Sequence, residues 1–170
     1  MTKQDFVGSI LPLKDKLFRL ARRILNADDA EDMVQDVFVK LWTKRATIAQ
    51  YKNIEAFAMV VCRNLCLDKV KSKGYQNSEL MPANEPIDHR SPERMTVVSD
   101  EIAQVRQAID TLPELQRTII QLRDVEEMEY DEMAVVLNMK VNAIRVNLSR
   151  ARKTVREAMI KMHNYEYHSN

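Results

Sequence analysis

Glycine, cysteine and long apolar runs are scarce in this chain of 170 residues, and each scarcity excludes a class of protein. The two glycines, Gly8 and Gly74, are too few to build a phosphate-binding loop. Two glycines also leave few positions for the glycine-dependent turns that connect β-strands, which favours an all-α protein. The two cysteines, Cys62 and Cys66, cannot form the disulfide framework of a small secreted domain. Their spacing predicts neighbouring positions at the edge of a helical core.

Signals for secretion and membrane insertion are missing as well. No apolar run approaches the roughly eighteen residues of a membrane-spanning helix, and the N-terminal segment lacks the basic-then-apolar pattern of a secretory signal. Charged residues make up 30% of the chain and hydrophobic residues 45%, which is typical of a soluble protein with a core. We therefore expect a cytoplasmic protein that does not insert into a membrane.

Helical spacing of apolar residues divides the chain into two parts. Residues 1–73 are rich in helix formers, whereas residues 74–99 hold three of the five prolines and little periodicity. Helical spacing returns at Asp100, where Ser99 is a candidate cap, and continues to about Met162. The sequence predicts two helical domains, residues 1–73 and residues 100–170 with a short C-terminal tail, joined by a flexible linker over 74–99.

Three helices are predicted in the first part. The first is marked by an apolar stripe at three- and four-residue steps: Ile10, Leu13, Leu17, Leu20 and Ile24. The second begins near Asp28, which has Glu31 three residues on. A polar stretch over 43–53 follows it, and the third helix runs from about Ile54 to Lys71.

The second part has the plan of a helix-turn-helix unit. Thr111 followed by Pro113 and Glu114 predicts the start of a helix that continues through Leu122. A short helix over 131–137, a turn over 138–140 and a long helix from about Val141 complete the plan.

The net charge of +1 conceals a separation of charge between these helices. Residues 110–132 contain eight acids and two bases, whereas residues 140–161 contain seven bases and one acid. On the last helix, the side chains that point away from the apolar stripe are Asn142, Arg145, Val146, Ser149, Arg150 and Lys153. Arginine and asparagine near the start of such a helix read base edges in DNA, although a merely solvated basic face is the alternative.

Four motifs in order carry a resemblance to a known family: DAEDMVQDVFVKLW (29–42), FAMVVCRNLCLDKVKSK (57–73), LPELQRTIIQL (112–122) and the terminal unit with LSRARK (148–153). Together they resemble a bacterial sigma factor of the extracytoplasmic-function group. That group has a sigma-two and a sigma-four helical domain, joined by a variable linker.

The resemblance implies roles for residues of the first part. Its first motif resembles the segment that docks on the clamp helices of the largest subunit of RNA polymerase, which suggests Asp32, Gln35 and Asp36 as polymerase contacts. The residues implied to contact the minus-ten element are Lys44, Arg45, Tyr51, Lys52, Arg63, Asn64 and Lys71. Core packing is the alternative for Tyr51. Asp68 is expected to form an internal salt bridge or a cap, and Val60 stands where relatives often carry a basic residue.

The second part resembles the reader of the minus-thirty-five element. Asn142, Arg145, Val146, Ser149 and Arg150 are implied to face the major groove, with Asn147 and Lys153 at or near the DNA backbone. Three departures concern the turn and the start of the last helix. Asn138 replaces a frequent glycine, Lys140 replaces a capping serine, and Arg145-Val146-Asn147 replaces a common lysine-serine-arginine run. We expect a different preferred element sequence.

The expected function is therefore to bind core RNA polymerase, direct it to specific promoters and assist promoter opening. The implied partners are the clamp helices, the flap of the second-largest subunit, promoter DNA and an anti-sigma factor. We expect no enzymatic activity, no cofactor and no metal, because His89, His163 and His168 lie in the linker or the tail. A dimeric helix-turn-helix repressor is the alternative, but it leaves the first two motifs unexplained.

Overall fold

A computed structural model describes residues 1–72 and 100–169, and every regular element in these ranges is a helix. The predicted linker and the predicted cap at Ser99 lie outside the described residues. No helix in the two ranges combines the length and the apolar character needed to cross a membrane.

Five helices form the N-terminal part. Their bounds are Lys3–Ser9 (α1), Lys14–Arg22 (α2), Ala27–Thr43 (α3), Arg45–Ile48 (α4) and Ile54–Ser72 (α5), with a 3-10 turn at Leu11–Leu13. The predicted start of α3 needs correction, because its N-cap is Asn26 rather than Asp28. The Asn26 side chain accepts a hydrogen bond from the amide of Asp29 at 2.9 Å. The polar stretch over 43–53 also contains α4, which the sequence did not predict.

The core of this part is formed by α2, α3 and α5. The predicted apolar stripe is buried as expected, since Ile10, Leu13, Leu17, Leu20 and Ile24 all lie in the core. The single predicted helix is wrong, however, because the 3-10 turn and α2 share this stretch, with Ile10 before them and Ile24 after them. Both cysteines of α5 are fully buried rather than at the edge of the core. Val60 is half-buried against the same core, so packing accounts for an apolar side chain at this position.

Four helices and a π-helical turn form the C-terminal part. Their bounds are Asp100–Asp110 (α6), Glu114–Ile120 (α7), Tyr130–Leu137 (α8) and Val141–His168 (α9), and the π turn spans Gln121–Val125. The predicted cap at Thr111 is wrong: Pro113 is the N-cap of α7, and the Thr111 hydroxyl donates to the carbonyl of Ala108 at 2.7 Å. The predicted continuation of α7 through Leu122 is interrupted by the π turn, and α9 extends six residues beyond Met162.

Helix α8 ends on a residue in the left-handed conformation. Asn138 has a φ of 51°, which asparagine tolerates better than most residues. The amide of Met139 donates to the Ala134 carbonyl at 3.2 Å, and the amide of Asn138 donates to the Val135 carbonyl at 3.4 Å. This arrangement is a Schellman ending, and it gives the helix-turn-helix its sharp corner. Lys140 precedes α9 without a side-chain cap.

The N-terminal and C-terminal parts pack directly against each other. Helix α8 lies against α5, the π turn lies against α2, and buried apolar residues of both parts belong to one continuous cluster. Polar contacts cross the same boundary: Arg19 pairs with Glu126, and Arg23 contacts both Asp110 and Gln121. The helix-turn-helix unit is thereby held against the helix that carries the two cysteines.

Candidate polymerase and nucleic-acid interfaces

The outer side of α3 presents the three residues predicted to contact polymerase. Asp32, Gln35 and Asp36 are all exposed, because the opposite side of the helix is buried in the core through residues such as Met33 and Val37. An ion pair of 3.1 Å between Lys69 on α5 and Asp29 fixes the beginning of α3. Core packing and this ion pair therefore fix the position of the helix that carries the exposed acidic side chains.

An exposed valine, which was not among the predicted contacts, lies among these polar residues. Val39 is 65% exposed and, at 100° per residue, falls between Gln35 and Asp32 around the helix axis. An apolar centre with a polar rim is the usual composition of a protein-binding surface. The exposed side of α3 thus has the composition of a docking surface, whereas sequence periodicity gave only its polar part. We call Asp32, Gln35, Asp36 and Val39 the α3 surface.

The segment between α3 and α5 carries a half-exposed aromatic ring beside basic residues. Tyr51 is 46% exposed, and its ring stacks on Phe57 with centroids 4.6 Å apart and planes 13° apart. Lys44 and Lys52 are exposed, and the Arg45 guanidinium lies 4.3 Å from the ring centroid of Trp42. Tyr51 therefore packs on its neighbour and also keeps ring surface open to solvent.

The predicted DNA residues of α5 are not equally accessible. Asn64 and Lys71 are exposed, whereas Arg63 is half-buried and its Nε atom finds no hydrogen-bond partner among the described residues. Asp68, for which a salt bridge or a cap was predicted, is exposed. Its neighbour Lys69 forms an ion pair with Asp29, and Glu55 near the start of the same helix pairs with Lys16. Accessible polar groups on α5 are concentrated toward its C-terminal half.

The exposed side of α9 holds most of the residues predicted to contact the minus-thirty-five element. Exposed side chains on this side are Asn142, Arg145, Val146, Ser149, Arg150 and Lys153. The opposite side is buried through Ile144, Leu148 and Ala151. Asn147 is half-buried at the edge of the exposed side. Its side-chain amide donates to the Ala143 carbonyl at 2.9 Å.

Two arginines on one flank of α9 are held by the preceding elements. The Arg145 guanidinium lies 4.9 Å from the ring centroid of Tyr130, the first residue of α8. Arg152 forms two hydrogen bonds with the Asp124 carboxylate, at 2.5 and 3.1 Å, and these bonds raise the pKa of Arg152. Sequence periodicity placed Arg145 on the exposed side of the helix, but it gave no sign of the partner of either arginine.

A partly buried polar network joins α2 to the C-terminal part. Arg19 donates to both carboxylate oxygens of Glu126, at 2.7 and 2.9 Å, and the hydrogen bond raises the pKa of Arg19. Gln121 donates to Glu126 at 3.0 Å and accepts from Arg23 at 2.9 Å. Burial lowers the pKa of Arg23, although Asp110 lies 3.0 Å away. No local pattern signals contacts between residues so distant in sequence.

Residues suited to metal chemistry do not come together in the part of the chain that the structure describes. No group of three or more His, Cys, Asp or Glu side chains there could hold a metal ion. What the fold and its surfaces define is a helical protein of the DNA-binding class: a helix-turn-helix unit with a basic helix, packed on a bundle that carries an exposed acidic surface on α3.

Comparison with known families identifies this protein more closely. Residues 10–75 match Sigma-70 region 2, and residues 102–155 match Sigma-70, region 4. The two matched regions cover more than two thirds of the chain and occur in the predicted order. The chain belongs to the sigma-70 family of transcription initiation factors, and within it to the extracytoplasmic-function (ECF) group.

Individual relatives agree with this assignment. The chain is 29% identical to ECF RNA polymerase sigma factor SigE of Mycolicibacterium smegmatis over 86% of its own length, but it spans only 58% of that protein. It is 25% identical to ECF RNA polymerase sigma factor SigW of Bacillus subtilis, over 92% of this chain and 90% of that one. The fold is similar to that of the sigma factor RpoE solved with the anti-sigma factor NepR from Bartonella quintana. The TM-score is 0.76 at 23% identity, over 92% of this chain and 97% of that one.

Proposed function

We propose that this chain binds bacterial core RNA polymerase, directs it to specific promoters and assists promoter opening. The observation that carries the proposal is the match of both sigma-70 regions, in order, on one chain. In this proposal residues 1–73 form the sigma-two domain, residues 74–99 the linker, and residues 100–170 the sigma-four domain with its tail. The chain works in the cytoplasm, where polymerase and promoters are found.

The α3 surface is the proposed contact with the clamp helices of the largest polymerase subunit. Its exposed acids offer charge-assisted hydrogen bonds to basic partners, and Val39 supplies an apolar centre that a partner would bury. The flap of the second-largest subunit is the proposed partner of the sigma-four domain.

The segment around Tyr51 is the proposed site for the opened minus-ten strand. A ring with an accessible face stacks on an unpaired base, and the neighbouring Lys44, Arg45 and Lys52 attract the strand's phosphates. Asn64 and Lys71 on α5 extend this contact. Arg63 joins it only after its half-buried side chain is freed. Capturing a single strand shifts the equilibrium from duplex to bubble, so opening needs no hydrolysis step on this chain.

Helix α9 is the proposed reader of the minus-thirty-five element. Arg145 and Asn142 offer hydrogen bonds to base edges, Val146 offers apolar contact to a thymine methyl group, and Arg150 and Lys153 approach phosphates. Asn147 lies on the flank of this surface, as a residue near the DNA backbone would. Polymerase performs the chemistry, and the chain itself has no catalytic role, cofactor or metal.

An anti-sigma factor is the proposed regulatory partner. Support comes from the RpoE structure of similar fold, which contains the anti-sigma factor NepR. Such a factor blocks transcription if it covers the α3 surface.

The division of labour between the two domains is tested with one substitution in each. We expect Asp36→Ala to weaken binding of the full chain to core polymerase about three- to thirtyfold, because a charged contact is removed. Glu31→Ala is the matched control, since it removes an exposed acid from the same helix about 140° away around the axis.

The second substitution removes a proposed base contact. We expect Arg145→Ala to cost about 1–3 kcal/mol in recognition of the upstream element and to leave polymerase affinity unchanged. Fluorescence anisotropy with labelled core enzyme and transcription from promoter variants give the two readouts. Equal loss of polymerase affinity in Asp36→Ala and Arg145→Ala would show that the division is wrong.

A further inference from the structure

Tyr130 stands out because two arginines approach its ring from different elements. The guanidinium carbon of Arg123, in the π turn, lies 4.5 Å from the ring centroid, and that of Arg145, in α9, lies 4.9 Å from it. Both distances fall within the range of cation–π contacts. Tyr130 is half-buried at the start of α8, so its ring lies between the π turn and the DNA-reading helix.

The residues around Tyr130 are held by hydrogen bonds and an ion pair. Arg123 donates to the Met128 carbonyl at 2.8 Å and lies 3.8 Å from the Glu129 carboxylate. The backbone amide of Glu129 in turn donates to Glu132 at 3.2 Å, which fixes the beginning of α8. Tyr130 therefore follows directly on a segment tied by these contacts, and the Arg145 side chain from α9 approaches its ring.

Arg145 and its neighbour Arg152 are held in chemically different ways. The N–H groups of Arg152 already donate to the Asp124 carboxylate. Arg145 is held instead by the Tyr130 ring, a contact that does not require its N–H groups to donate to a carboxylate. Those N–H groups form the bidentate pair with the O6 and N7 atoms of guanine. Of the two arginines, Arg145 is therefore the one whose N–H groups remain able to contact a base.

We propose that Tyr130 is a positioning residue for promoter recognition, with its ring holding the Arg145 guanidinium in the orientation that reads a base edge of the upstream element. This inference rests on the proposed role of α9. A free arginine side chain populates many rotamers, and fixing it before DNA arrives reduces the entropy lost on binding. Tyr130 acts through Arg145 and has no base contact of its own.

The test uses holoenzyme assembled from the full chain and core polymerase, on a promoter library in which the upstream element is randomised. Sequencing the transcripts gives the base preference at each position. We expect Arg145→Ala to flatten the preference at one or two positions. Tyr130→Leu should weaken the preference at those same positions about two- to fivefold, the range of a cation–π contact. Tyr130→Phe, which keeps the ring, should leave the profile unchanged.

Two further variants separate positioning from general stability. Adding Tyr130→Leu to Arg145→Ala should cause no additional change, because the side chain that the ring positions is already gone. Tyr165→Leu removes a tyrosine that is 77% exposed near the end of α9 and should leave the profile unchanged. If Tyr130→Leu fails to fold, Tyr130→Met fills the space with a flexible apolar side chain and serves the same purpose.

Three results would overturn the inference. The first is that Tyr130→Leu lowers transcription equally from all library members. The second is that Tyr130→Leu leaves the base preference as in the unmodified chain, although Arg145→Ala alters it. Either result removes the role of Tyr130 and leaves the proposed role of α9 intact. If Arg145→Ala itself leaves the profile unchanged, the assignment of Arg145 as a base reader fails, and the role of Tyr130 fails with it.

Discussion

Glu126 is a carboxylate with a side chain only 1% exposed, so its charge must be balanced by partners inside the protein. Arg19 and Gln121 supply three hydrogen bonds to it, and two of these come from a helix 107 residues away in sequence. Removing a partner from such a group costs more than forming the pair gains, because the remaining charge stays buried. This single residue therefore makes the packing between the two parts specific.

The fold disfavours ionisation and alkylation of the two cysteine thiols. A hydrogen bond with Cys66, together with burial, raises the pKa of the Cys62 thiol, and both side chains are fully buried. We expect alkylation of the native protein by iodoacetamide to stay slow even above about pH 8.5, where an ordinary thiol ionises. Alkylation in urea should be fast.

The same shift has a consequence for stability. The unfolded thiol releases its proton near about pH 8.5, while the folded thiol keeps it, so alkaline pH favours the unfolded state. Stability from this group is complete below that pH and declines as pH rises toward the raised pKa. Fast alkylation of the native protein above about pH 8.5 would contradict the burial of these thiols.

Single residues divide clearly into those that a sequence reveals and those that it does not. Helix periodicity alone is enough to place Asp32, Gln35 and Asp36 on the exposed side of α3, because it decides which side of that helix faces the core. The same periodicity places Val39 on this exposed side, but nothing in the sequence marks an exposed valine as part of a binding surface. Tyr130 was missed for a different reason: its importance depends on arginines from two other elements, which only the folded chain brings together.

Among the elements, the π turn differs most from the sequence prediction. Apolar spacing in LPELQRTIIQL favoured one regular helix, but the amide of Glu126 donates to the Gln121 carbonyl five residues earlier, at 3.0 Å. The wider turn brings the buried side chains of Gln121 and Glu126 to Arg23 and Arg19. A tertiary contact thus overrides local periodicity, and single π turns of this kind are frequent at functional sites.

The corner of the helix-turn-helix gives a prediction at this scale. Asn138 adopts a left-handed conformation that β-branched residues avoid. We expect Asn138→Val to lower the free energy of unfolding by about 1–2 kcal/mol, measured by urea denaturation. Asn138→Gly is the matched control and should cost little, since glycine adopts this conformation freely. Equal destabilisation by both substitutions would mean that the amide side chain, not the backbone angle, matters.

At the scale of the whole molecule, the packed arrangement is too small to contact both promoter elements at once. The centres of elements near −35 and −10 lie about 25 base pairs apart, or about 85 Å at about 3.4 Å per base pair. A compact chain of this length has a radius of gyration of about 15 Å, and hence a diameter of about 40 Å. We therefore expect the two parts to separate when the chain engages a promoter.

Separation of the two parts breaks the ion pair between Arg19 and Glu126, so the strength of this pair can be tested by substitution. Arg19→Met leaves the Glu126 carboxylate buried without its charged partner, so we expect the packed state to lose about 1–3 kcal/mol and the radius of gyration to rise. Lys16→Met removes a pair of similar type on the same helix, but its partner Glu55 lies within the N-terminal part. Small-angle X-ray scattering should show expansion in Arg19→Met alone; equal radii in the two variants would contradict a role for this pair.

The proposed function has one direct measurement. Purified bacterial core polymerase would transcribe fragmented genomic DNA of the host with and without this chain, and the transcript starts would be sequenced. We expect new starts that require the chain and share two spaced upstream elements, with the upstream element altered in its base preference by Arg145→Ala. Absence of new starts, together with failure of the chain to co-migrate with core polymerase, would contradict the proposed function and favour a helix-turn-helix repressor.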